Sequence, residues 1–325
     1  MTSTSPDLAL PSGLRARPLT PADLDAVFAV YSAAEQEDAG QVALEPEDIA
    51  GDWARPSFDL ARDSIGVFDG ERLVGAAEVT RAGARAEGAV LPGERGRGIG
   101  TWLAAWTEQR ATELGSARVG QVAPDGSLPE RLLRARGYTP AHTSWVLALP
   151  AGRLVAPRPL PDGYTLATAE VDEQRRAAYV VIQDAFDEWE GRVRESYGDW
   201  AATTVDRPGA QTWQLRLVEH RGAVVGASFT ILDSQGVGYV YQLAVQRSHR
   251  GRGLAQALLA DAFASARERG AVHSELSTDS RTGALDLYLK VGMEVTQTWT
   301  HLATGLPRPR PDGVGQKPSD LTTAT

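Results

Sequence analysis

The chain of 325 residues repeats itself in register. Arg250-Gly251-Arg252-Gly253-Leu254-Ala255 follows Arg95-Gly96-Arg97-Gly98-Ile99-Gly100 at a spacing of 155 residues. The same spacing of 155 separates Leu258 from Leu103, Gly270 from Gly115 and Gly292 from Gly137. A repeat held this strictly restricts the chain to two similar folding units. Each copy of the Arg/Gly stretch follows a short apolar run, Ala89 to Leu91 or Tyr239 to Val245. Each also opens a segment of helical period, with Ile99, Leu103, Thr107 and Ala111 on one face in the first copy and Leu254, Leu258, Ala262 and Ala266 in the second. Gly115 and Gly270 stand where a helix C-terminus prefers glycine. Upstream, the spacing falls to 151 for Gly75 and Gly226, so the second copy holds extra residues before its turn.

The elements around the repeats follow one order. In the first copy, Leu14 to Leu19 reads as a strand, and a helix starts at Thr20-Pro-Ala-Asp23 with Leu24, Val27, Phe28 and Tyr31 buried. A looser acidic region with Trp53 follows, then a hairpin of Asp63 to Phe68 and Leu73 to Thr80 around Asp69-Gly70. After the Arg/Gly turn and its helix come a strand near Val119 to Val122, a short helix (Pro129 to Ala135) and a last strand, Ser144 to Leu149. The second copy repeats this order from Tyr164, with a hairpin around Arg221-Gly222 and a closing strand to Ala303. The expected organisation is a flexible tail (1–13), a first unit (14–150), a Pro-rich linker (151–161), a second unit (162–304) and a disordered tail (305–325). The fold class is α/β with a mixed sheet.

A strand, an Arg/Gly-rich turn and a helix form an anion-binding design. Bare glycine backbone lets successive N–H groups converge on a phosphate at the positive end of the helix dipole, and arginines add forked donors. Neither copy has the Lys-Ser/Thr ending of a P-loop, and neither completes G-x-G-x-x-G, since Gln256 and Thr101 occupy the last position. A low-complexity RNA-binding segment does not match single turns between periodic elements. What remains is R-x-x-G-x-[GA], twice. That pattern resembles motif A of the GNAT superfamily of N-acetyltransferases. Leu287-Tyr288-x-x-x-Gly292-Met293 is similar to the L-Y-x-x-L-G-F ending of that family, and the resemblance covers roughly residues 14 to 304.

The resemblance implies two tandem acyl-CoA N-acyltransferase domains and acetyl-CoA as the acetyl-donor cosubstrate. The turns at Arg250, Gly251, Arg252, Gly253, Leu254 and Ala255, and at Arg95, Gly96, Arg97, Gly98, Ile99 and Gly100, would bind its pyrophosphate. Arg252 or His249 would lie near the outer phosphate, and the backbone of Leu243, Ala244 and Val245 would line the pantetheine arm. Tyr288 matches the tyrosine that protonates the departing thiolate, a role suited to a phenol whose reference pKa is near 10. Arg281 stands where the family often has Asn, and it would add a phosphate partner. For the general base, Glu275 is the candidate, with His273 on the same strand face and Tyr241 on the preceding strand. At the spacing of 155, Tyr288, Glu275, His273, Tyr241 and Tyr239 correspond to Leu133, Gly120, Arg118, Ala86 and Ala84. The first unit is therefore expected to be catalytically degenerate.

The expected activity is acetylation of the primary amine of a small molecule by the second unit. Asp184, Asp187, Glu188 and Glu190 resemble a patch for a cationic acceptor, although helical periodicity puts most of them on the solvated face. A mycothiol-synthase-like role is an alternative, against which Leu276-Ser-Thr278-Asp-Ser-Arg281 departs from the expected L-Y-V-x-x-x-N. A non-catalytic acetyl-CoA-binding sensor or scaffold is a second alternative. The net charge of −9 argues against nucleic-acid partners, and no apolar run is long enough for a membrane span. Zero cysteines and five scattered histidines give no thiolate and no metal-ligand pattern, so no metal is expected. The N-terminus lacks signal-peptide character, which makes the cytoplasm the expected compartment.

Overall fold

The computed structural model describes residues 9–189 and 192–307. Most of the two expected tails, and Glu190, lie outside the described residues. The first copy contributes β1 (Leu14–Arg17), α1 (Leu24–Ala39), α2 (Pro46–Trp53), α3 (Leu60–Asp63), β2 (Ser64–Asp69), β3 (Arg72–Thr80), β4 (Arg85–Val90), α4 (Ile99–Glu113), β5 (Arg118–Pro124), α5 (Leu128–Ala135) and β6 (Thr139–Ala148). The second contributes β7 (Tyr164–Thr168), α6 (Asp172–Phe186), α7 (Tyr197–Ala202), β8 (Leu215–His220), β9 (Ala223–Leu232), β10 (Val237–Val245), α8 (Leu254–Arg267), β11 (His273–Asp279), α9 (Leu285–Lys290) and β12 (Glu294–Gly305). The strand order is the same in both copies, and the first has one further short helix, α3, before its hairpin. No helix among the described residues is long and apolar enough to cross a membrane.

All twelve strands join one mixed sheet, in the order β1-β2-β3-β4-β5-β12-β6-β11-β10-β9-β8-β7. The last strands are exchanged. β12 pairs antiparallel with β5 of the first copy, and β6 pairs antiparallel with β11 of the second. Between them β6 and β12 pair with each other, closing the seam. A boundary in the linker divides the sequence, but it does not divide the sheet.

The cores follow the exchange. Leu302 of β12 is buried in the first copy's core with Val119, Ala123 and Tyr138. Leu147 of β6, with no exposed surface, is buried in the second copy's core with Phe263, Leu276, Met293 and Tyr288. Each half thus lacks a wall of its core without the other half's last strand. Leu147→Ala empties part of the second core, and large-to-small changes of this kind cost about 2–5 kcal/mol. The expected result is a loss of that size in denaturant unfolding, in a transition shared by both halves. A loss below about 1 kcal/mol, or a separate transition for the first half, would show that the cores are not coupled through β6.

Candidate active site

In each half, the strand before the Arg/Gly turn and the strand after its helix are parallel, and they separate early. β10 and β11 pair only from Val237↔His273 to Val240↔Leu276. β4 and β5 pair only at Arg85↔Gly120. Beyond those points the strand edges open onto clefts. The larger cleft, about 740 Å3, lies on the second half and the seam, and Leu243, Ala244, Val245, Arg250, Ala255 and Tyr288 all line it. β10 also carries a bulge at Tyr241, where its register with β9 shifts between Val240 and Gln242. A bulge frees one residue from the ladder and re-aims its neighbours. Here Tyr241 faces the cleft, while Gln242 accepts a hydrogen bond from Trp200 Nε1 at 2.8 Å.

The two Arg/Gly turns share one backbone. Gly96 and Gly98 have φ of 82° and 85°, and Gly251 and Gly253 have 76° and 82°. These are left-handed values that favour glycine, and they place α4 and α8 immediately after the turn. The arginines differ. Arg95 is bound by both carboxylate oxygens of Asp38, at 2.8 and 2.7 Å. Arg250 is bound by Glu188, at 2.8 and 3.0 Å, and by the Val245 carbonyl at 3.0 Å. Arg252 is exposed and has no hydrogen-bond or ion-pair partner among the described residues. His249 is not free, since its Nδ1 meets the Tyr164 hydroxyl at 2.9 Å.

Tyr288 sits on α9, capped by Gly292 in the left-handed region, and its ring is 9% exposed. Burial pushes its phenol up to about 12, so it stays protonated and can donate. Glu275 does not line this cleft. It pairs with Tyr239 on the closed side of the β10–β11 fork, one step before the strands part. Burial raises its carboxyl, with His273 opposing and Asp233 reinforcing that shift. Arg281 is also elsewhere engaged: its guanidinium binds Asp279 and lies over the Trp189 ring at 4.9 Å. The acidic residues near α6 are largely paired with arginines, Asp184 and Asp187 with Arg194 and Glu188 with Arg250.

Glu188 and Asp279 of the second half line the cleft held by Arg250 and Arg281, and its other carboxylates come from the first half. Glu78 on β3 and Glu87 on β4 are direct cross-strand partners, and both line the cleft. Burial pushes Glu78 up to about 8; Asp52 and Glu87 add to this, and the Trp53 indole donating at 2.7 Å opposes it. Glu87 is raised as well, by burial first, with Arg85 pulling it down. Sequence reasoning passed over this pair. The available signal was a lone charge in the apolar strand Leu73-Val-Gly-Ala-Ala-Glu78-Val-Thr80. Nearby, His301 stacks on His142 at 3.9 Å and binds Ser144 through Nε2 at 2.9 Å. Burial drives His301 down to about 3, so it stays neutral at ordinary pH.

The turn between β3 and β4 reaches into the same cleft. Arg81 and Ala82 have φ of 53° and 51°, followed by Gly83 at 89°. Left-handed backbone costs a side-chain-bearing residue roughly 1–2 kcal/mol. A Cβ at Gly83 would come within 2.9 Å of the Ala111 carbonyl and of Ser116, so the turn is pinned from behind.

The first half's own cleft is smaller, about 390 Å3. Its only titratable lining residues are Asp38 and Arg95, which bind each other. Leu133 lines it where the second half has Tyr288. Among the described residues no group of three or more acidic, histidine or cysteine side chains is arranged to hold a metal ion.

Comparison with known proteins gives the same picture. The Acetyltransferase (GNAT) family profile matches residues 171–293. A mycothiol acetyltransferase of Sanguibacter keddieii is 30% identical over an alignment of 325 residues covering 94% of this chain and 96% of that protein. One from Thermobispora bispora is 29% identical, covering 84% and 93%. A GCN5-related N-acetyltransferase from Sphaerobacter thermophilus superposes with a TM-score of 0.71 at 28% identity, over 91% of this chain and 97% of that one. A tandem GNAT protein from the clavulanic acid biosynthesis pathway superposes at 0.70, with 22% identity over 92% and 100%, a likeness of fold. The chain belongs to the GNAT family of acetyltransferases and is a tandem N-acetyltransferase.

Proposed function

We propose that the protein transfers the acetyl group of acetyl-CoA to the primary amine of a small molecule, in the second half's cleft. The observation that carries this reading is the asymmetry of the two clefts. Both halves keep the glycine turn, but only the larger cleft, bordered by Arg250 and Ala255 of that turn, also holds a protonated phenol and a pair of carboxyls. Acetyl-CoA supplies an activated thioester. Gly251 to Gly253 and Arg252 would hold its phosphates, with Arg250 exchanging Glu188 for a phosphate oxygen. The open edge of β10 at Leu243 to Val245 would offer peptide groups to the arm. Tyr288, which burial keeps protonated, would hydrogen-bond the departing sulfur and donate to it as its negative charge develops.

An amine attacks only when neutral, so its ammonium proton must leave. Glu78 and Glu87 face the same space, and a carboxyl poised near 8 is well matched to accept that proton. This moves the base from Glu275 to the first half, which then contributes chemistry as well as shape. A mycothiol-related amine is the second reading for the acceptor. Relatives named mycothiol acetyltransferases, similar over more than four-fifths of the chain, favour it despite the departure at Leu276 to Arg281.

Two experiments test these roles. Arg250→Glu should weaken acetyl-CoA binding by about 2 kcal/mol or more in calorimetry, whereas Tyr288→Phe should lower kcat and leave that affinity intact. The assignment fails if Arg250→Glu binds normally or Tyr288→Phe turns over normally where chemistry limits the rate. The second concerns Glu78. Its carboxyl keeps a proton in the folded protein up to about 8, while the unfolded chain loses it near 4.5. Stability contributed by the protonated group is therefore full below about 4.5 and is lost as pH rises towards about 8. Glu78→Gln should flatten that decline in thermal melts and lower kcat/KM at pH 8; a variant with the wild-type slope and rate would return Glu78 to a packing role.

A further inference from the structure

Four arginines line the large cleft: Arg55, Arg81, Arg85 and Arg250. Three have carboxylates. Arg55 meets Asp52 at 2.8 Å and Glu195 at 2.7 Å, Arg250 meets Glu188 at 2.8 Å, and Arg85 lies 3.8 Å from Glu87. Arg81 has no hydrogen-bonded or ion-paired side chain among the described residues. It is also the residue held at φ 53° in the left-handed turn, pinned by Gly83 against the end of α4. Arg81 is exposed at the cleft, and the positive-φ turn fixes where its side chain starts. The equivalent turn of the second half, between β9 and β10, has positive φ only at Gly236.

The cleft's other charges narrow what Arg81 can serve. Arg81 belongs to the β3–β4 turn of the first half, whereas the Arg/Gly turn at Gly251 has Arg250 and Arg252 for phosphate. Arg81 lies within electrostatic reach of Tyr241, at the bulge beside the open edge of β10. On the same wall, Glu78 and Glu87 suit an ammonium group. A carboxyl pair that can receive an amine's proton and an unpaired guanidinium on one wall match an amine that also carries an anion. We propose that the acceptor is a small amine that also carries an anionic group, a carboxylate or a phosphate ester, and that Arg81 binds that group. This rests on the reading of the cleft as an amine-acetylating site, and it names the class of amine. A guanidinium fork matches either anion with two parallel hydrogen bonds.

The test uses the full-length protein, acetyl-CoA and matched acceptor pairs. One arm compares amino acids with their amides; the other compares amino-sugar phosphates with the parent amino sugars. Release of free thiol is measured for wild type and for Arg81→Asn. Asparagine tolerates left-handed backbone, so this variant is expected to fold, and Arg81→Lys keeps the charge without the fork. The expected result is a preference in kcat/KM of at least about tenfold for the anionic member of one arm. That preference should fall close to one in Arg81→Asn and be partly restored in Arg81→Lys, with the KM for acetyl-CoA unchanged. The arm in which it occurs identifies the anion. Equal rates for charged and neutral partners, or a preference that survives Arg81→Asn, overturns the proposal and leaves amine acetylation standing. An absence of turnover with every amine of both arms contradicts the small-amine reading itself.

Discussion

The exchange of β6 and β12 is the constraint on which the rest of the structure depends. Each strand is built by one half and buried in the other, with Leu147 in the second core and Leu302 in the first. Peptide groups at these edges have no water to satisfy them once the sheet is continuous, so each half must supply its partner's ladder. The halves are therefore fixed relative to one another by backbone hydrogen bonds and apolar packing together. A surface contact between two finished domains would leave them free to rock.

That rigidity makes a composite cleft possible. Its floor runs across the seam, from Glu78 and Glu87 on the first half, past Ser144 and His301, to Tyr239 and Tyr241 on the second. Proton-transfer groups need placement to within a fraction of an ångström, and a continuous sheet supplies it. The first half has Leu133 where the second half has Tyr288. What it has kept is a wall of carboxyls and arginines turned towards its neighbour's cleft. Duplication followed by this kind of specialisation explains why the glycine turn is preserved twice and the phenol once.

Much of this was legible in the residues. The in-register repeat fixed the element order, and the backbone of both Arg/Gly turns is the left-handed pair that their glycines announce. Tyr288 and Leu243 to Val245 were placed from a family pattern, and they line one cleft. The strand exchange was not legible, because β6 and β12 have the same alternation whichever half they join. Glu275 does not line the large cleft. Its strand face was read from alternation, a pattern that does not show where β10 and β11 part. Glu78, Glu87 and Arg81 were missed because they line a cleft that crosses the seam. Nothing local in a β3–β4 hairpin says that it lines a cleft shared with another unit.

The account's central claim is that one reaction space spans both halves. A crystal structure of the full-length protein with coenzyme A and an acetylated acceptor tests it most directly. The account predicts the pyrophosphate on the Gly251–Gly253 turn, the sulfur close to the Tyr288 hydroxyl, and the acceptor against Glu78, Glu87 and Arg81. Coenzyme A confined to the first half's cleft, or an acceptor bound away from the β3–β4 wall, would contradict it.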